Sequence, residues 1–158
     1  DDLSEMSPAG GLGGVNRTAV LGFGNRLWRD DGAGSVLAER LLAAQPGAAV
    51  FDGGMVPENF LEKVANTNPA TVLLVDAADF GGEPGEVKSF HGDELAQAGF
   101  STHAGSPQML AAYLEARCGA DVVLLAIQPV DVRAGDVLST QVGQAVDELA
   151  VLIAACNE

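Results

Sequence analysis

Cysteine is nearly absent from this 158-residue chain. Cys118 and Cys156 are the only two and lie far apart, so there is neither a disulfide framework nor a CxxC metal pair. Both fall in apolar stretches of helical spacing and read as ordinary buried thiols of a protein kept in the reducing cytoplasm. Basic residues are scarce as well, eight against 22 acidic, for a formal net charge of −14. Such a surface repels phosphate backbones and anionic lipid heads, which argues against nucleic-acid and membrane partners. No apolar run approaches the roughly 20 residues that a membrane-spanning helix needs, and no basic start followed by an apolar run marks secretion. HExxH, GxSxG and Walker loops are missing, which removes three common routes to hydrolysis. No heptad pattern suggests a coiled coil, so a monomer is the expected state.

What is present suits a single packed domain, with 47% hydrophobic residues and 19% charged. Residues 1–17 are rich in Gly, Ser and acidic residues without periodicity and read as a flexible leader; residues 18–158 carry the domain. Within it, short continuously apolar runs at 18–22 (TAVLG), 48–51, 71–75 (TVLLV) and 121–127 (DVVLLAI) predict strands buried on both faces. A weaker, more polar run at 86–90 predicts an edge strand. Helical spacing covers 34–45, 107–117 and 139–155, and Pro57 opens a shorter helix to about residue 65. Gly119 is placed to end its helix. This alternation predicts a doubly wound, three-layer α/β domain.

In open parallel sheets, sites form beyond the carboxyl ends of the strands where strand order reverses. Polar residues just after strands are therefore the candidates. The first strand leads into GFGNRLWRDDGAG, where Gly22 and Gly24 allow a tight turn and close backbone approach. The third glycine of a dinucleotide loop would fall at Leu27, and the acidic pair Asp30 and Asp31 would repel a pyrophosphate, so a Rossmann-type nucleotide module is disfavoured. Asp30 and Asp31 read either as caps of the following helix or as one cap and one cleft carboxylate. Asp52, before two glycines, reads as a turn former. Asp76, directly after five apolar residues, is the leading candidate by position, because a carboxylate there is costly without a partner. Asp79 belongs to a solvated loop, and His91 to a polar surface loop. His103, just before a helix, joins the two carboxylates as a candidate. Two carboxylates and an imidazole make a reasonable partial shell for a borderline divalent metal. The residues thus point to a metal-dependent hydrolase.

The blocks GFGNRLWRDDGAG, DGGMVPENFLEKVANTNPATVLLVDAADFGGEPGEVKSF, STHAGSPQMLAAYL and DVVLLAIQP resemble, in order, the signature blocks of the hydrogenase maturation proteases. The wording is similar to the formate-linked or energy-converting branch. The resemblance runs from about Thr18 to the C-terminus. It implies a three-layer α/β/α sandwich with a twisted, mostly parallel five-stranded sheet. It also implies an endopeptidase that removes the C-terminal extension of a NiFe-hydrogenase large-subunit precursor. Asp31, Asp76 and His103 match the family's metal ligands, with Asp30, Asp52, Gly22, Gly24 and Asn25 in support. The nickel they engage would arrive with the precursor. A non-catalytic nickel-checkpoint binder of the same precursor stands as the alternative.

Overall fold

The computed structural model describes residues 17–100 and 105–156. Five strands form one sheet: β1 (Thr18–Phe23), β2 (Val50–Gly54), β3 (Thr71–Ala77), β4 (Val87–His91) and β5 (Asp121–Ile127). Their order is β2-β1-β3-β5-β4, with every neighbour parallel except β4, which runs antiparallel to β5 at the edge. Four helices cover the sheet: α1 (Ala33–Ala44), α2 (Leu61–Ala65), α3 (Pro107–Cys118) and α4 (Thr140–Cys156). The three-layer sandwich is as the sequence predicts.

The two faces of the sheet explain why its strands are apolar without alternation. Leu21, Leu74 and Leu124 point into one core, with Val64 of α2 and Leu110 and Leu114 of α3. Val20, Leu73 and Leu125 point into the other, with Leu37 and Leu41 of α1 and Val146 and Leu149 of α4. Both sides of each central strand are removed from water, so both residue parities must be apolar. The polar β4 tolerates its composition because it lies at the edge. Pro107 opens α3, with Ser106 as N-cap accepting from the Met109 amide at 3.3 Å, and Gly119 closes it in the left-handed conformation at φ 70°.

Several boundaries differ from expectation. The segment opened by Pro57 begins as a 3-10 turn (Pro57–Phe60) before α2. Both β2 and β3 run further than their apolar residues, so Asp52 and Asp76 lie within strands rather than after them. Backbone pairing with neighbours carries the extended conformation past the last apolar side chain, as Asp76 opposite Ala126 shows. The expected leader lies outside the described residues except for Arg17, which already belongs to the fold: its carbonyl accepts from the Ala70 amide at 2.7 Å. Cys118 and Cys156 are half-buried rather than buried. No helix among the described residues is long and apolar enough to cross a membrane.

One close approach sets the geometry above the sheet. A Cβ on Gly34, in the first turn of α1, would lie 2.0 Å from the Val75 carbonyl oxygen, and one on Gly22 would lie 2.1 Å from the Gly34 carbonyl oxygen. The start of α1 therefore rests directly on the backbone of β1 and β3. Gly34→Ala should lower stability by about 3 kcal/mol or more, read as a fall in the urea midpoint. An unchanged midpoint would mean that the helix start can lift from the sheet at little cost.

Candidate active site

Strand order reverses between β1 and β3, and a cleft of about 400 Å³ opens at their carboxyl ends. Asn25 and Asp31 reach it from the loop after β1, Met55 and Glu58 from beyond β2, Asp76 from β3 and Pro107 from the start of α3. Two of the sequence-predicted carboxylates, Asp31 and Asp76, are brought together here.

Asp76 is the harder of the two to ionise. Burial at the end of β3 raises its pKa well above the usual value of 3.8, the charge of Asp31 raises it further, and a hydrogen bond from the Ala77 amide offsets part of this. Asp31 is held by the glycine turn: its Oδ2 accepts from the Asn25 amide at 3.1 Å. The turn itself depends on Gly24, which has φ 139° and where a Cβ would lie 1.9 Å from the Asp31 carbonyl oxygen. The amide of Asn25, which a phosphate-binding loop would offer to its ligand, is thus already taken by a carboxylate. Asn25 also folds its own side chain back, with Oδ1 accepting from the Leu27 amide at 2.9 Å.

Neither acidic residue of the pair caps a helix. Trp28 and Gly32 occupy the cap positions of the 3-10 turn (Arg29–Gly32) and of α1, and neither makes a side-chain cap. Asp30 instead turns away from the cleft and is wholly buried. Its carboxylate accepts from the amides of Val130, Asp131 and Ser139 and from the Ser139 hydroxyl, at 2.8–2.9 Å. It anchors the long loop after β5 onto the loop after β1, where the Arg29 amide also donates to the Gly135 carbonyl at 2.8 Å. Asp52 also lies outside the cleft lining. As a turn former it accepts from the Gly54 amide at 3.0 Å, and it accepts from the Ser35 hydroxyl at 2.7 Å and from Arg26 at 3.3 Å.

His103 lies outside the described residues, although Gly105, Ser106 and Pro107 of the same block line the cleft. His91 ends β4 half-buried and caps the turn that follows, rather than lying in an open surface loop. Asp79 is exposed in its loop as expected, and a hydrogen bond from Gln128 lowers its pKa. Two residues escape the sequence reading. Gln128 follows β5 and is only 8% exposed; its Oε1 accepts from the amides of Phe80 and Gly82, pinning the loop that leaves β3. Attention to polar residues just after strands, applied to β5, finds it. Glu58 lines the cleft, whereas its place in the first turn behind Pro57 suggests only a favourable helix-end charge.

A family model described as hydrogenase maturation protease matches residues 35–156. The chain is 38% identical over 112 residues to the hydrogenase 3 maturation protease of Escherichia coli strain K12, covering 70% of this chain and 71% of that one. Its fold is similar to the crystal structure of a NiFe hydrogenase maturation protease, HycI, from Thermococcus kodakarensis KOD1, with TM-score 0.78, 34% identity and coverage of 87% and 90% of the two chains. The solution structure of an endopeptidase HycI from Escherichia coli gives TM-score 0.73 at 31% identity, covering 87% and 88%.

Two outcomes follow from the contrast between Asp30, wholly buried, and Asp76, half-buried. Asp30→Ala leaves buried amides without an acceptor and should cost about 3 kcal/mol, measured by urea unfolding; a loss within error would show that water replaces the carboxylate. Asp76 behaves in the opposite sense. Its neutral form is favoured in the folded state, so the associated stability is complete below pH 3.8 and is lost as pH rises towards the raised value. Asp76→Asn should therefore melt higher than the parent at pH 7, by about 3 °C or more, with the difference closing in acid. Melts in the presence of a chelator test this, and a variant less stable at pH 7 would contradict it.

Proposed function

The chain belongs to the hydrogenase maturation protease family, and we propose that it removes the C-terminal extension of a nickel-loaded NiFe-hydrogenase large-subunit precursor. It is a peptidase of the HycI type by its relatives. The observation that carries the finer reading is the pairing of Asp31 with Asp76 in one cleft at the switch point of the sheet.

The donor set suits a metal that comes with the substrate. Two carboxylates whose charges oppose one another favour an arriving cation, and they leave room for ligands that the precursor supplies. His103 is the third protein ligand by resemblance. Nickel carried by the precursor would polarise the scissile carbonyl or acidify a water. Water adds its oxygen to the carbonyl carbon while Asp31 or Asp76 takes the proton. The carbon–nitrogen bond then breaks, and that proton passes to the departing amine. Only nickel-loaded precursor would complete the site, which makes cleavage a checkpoint. The same reading has the enzyme acting as a monomer in the cytoplasm.

The test is mass spectrometry of precursor incubated with and without nickel. The parent protein should release one defined C-terminal peptide only from nickel-loaded precursor, and Asp76→Ala and His103→Ala should release none while still folding. Cleavage of nickel-free precursor would remove the checkpoint, and precursor bound but intact would favour a non-catalytic binder.

A further inference from the structure

The cleft holds a third carboxylate to which the proposed reaction assigns no role. Glu58 is exposed in the 3-10 turn behind Pro57, beside Asp31 and Asp76 in the lining. Among the described residues its side chain has no ion-pair partner, and the described lining contains no Lys or Arg. Lys63, the nearest cation along the chain, stands over the Phe60 ring at 5.2 Å, while Arg26 pairs with Glu39 and Asp52 and Arg29 with Asp131.

Two features around Glu58 shape what it can receive. Met55, on the same wall, is 67% exposed and offers a soft apolar surface. Opposite, the backbone passes close by at Gly105, where φ is 81° and a Cβ would lie 2.8 Å from Glu58 Oε1. A side chain there would push on the carboxylate, so glycine is what lets the backbone and the Glu58 carboxylate approach this closely. An unpaired carboxylate next to an apolar wall fits a long side chain with an alkyl stem and a cationic end. The net charge of −14 draws such a segment towards the cleft.

We propose that Glu58 is a specificity-determining residue that pairs with a lysine or arginine side chain of the substrate segment entering the cleft. This rests on the reading of the cleft as the peptidase site, but binding alone can test it. Labelled peptides spanning the precursor's C-terminal junction would be titrated by fluorescence anisotropy, with each basic residue in turn kept, neutralised to Gln or reversed to Glu. For one position, Glu58→Gln should weaken binding of the basic peptide about fivefold, the scale of a partly exposed ion pair. It should leave the Gln peptide unaffected, and Glu58→Lys should bind the Glu peptide better than the parent does. In processing assays Glu58→Gln should raise KM about fivefold with kcat unchanged, because the pair forms before the reaction and persists through it. Glu58 is exposed, so these variants should fold. Binding that ignores charge at residue 58, or that is undetectable for every peptide, overturns the assignment. Charge-dependent binding without any cleavage would leave it standing and count against the proposed function instead.

Discussion

The position of the cleft follows from how closely the first turn of α1 lies on the sheet. Gly34 rests against the carbonyl of Val75, the residue immediately before Asp76, and Gly22 rests against Gly34. Asp31 precedes Gly34 by one helical turn, so the same contact that seats the helix brings Asp31 within electrostatic range of Asp76. The glycines of the first block thus serve packing and chemistry together. Side chains at Gly22 or Gly34 would prise the layers apart and separate the carboxylates.

Three aspartates near this junction meet three environments. Asp30 is buried with a full set of donors, so burial makes it a strong tie between two loops. Asp52 shares its charge with Arg26 and holds the end of β2. Asp76 is half-buried beside another carboxylate, and its charge is opposed rather than satisfied. An arrangement that costs stability persists where it is useful, and here the opposed charge is oriented into an open cleft. The loops that frame the cleft are correspondingly well tied, by Asp30 on one side and by Gln128 on the other.

Much of this is legible in the residues alone. Continuous apolarity in TVLLV and DVVLLAI demands burial on both faces, which only covered strands provide, and Asp76 stands out because it ends such a run. The choice between Asp30 and Asp31 cannot be read along the chain, because adjacent residues differ in direction rather than in chemistry. The partners that decide it, Val130, Asp131 and Ser139, lie about a hundred positions away. Glu58 looks like a mere helix-end charge for a similar reason. Its membership of the cleft depends on the approach of β2's loop to the segment before α3.

The class of fold, the family and the chemical types available at the strand ends are all encoded locally in the chain. They depend on periodicity and on short contiguous blocks, which can be read residue by residue. Which carboxylates are satisfied and which are opposed is a property of the folded molecule. So are the bracing of a strand by Asp52 outside the cleft and the turning of Glu58 into it. Charge and hydrogen bonding act through space over a few ångströms, and the folded path alone sets which distant residues fall within that range.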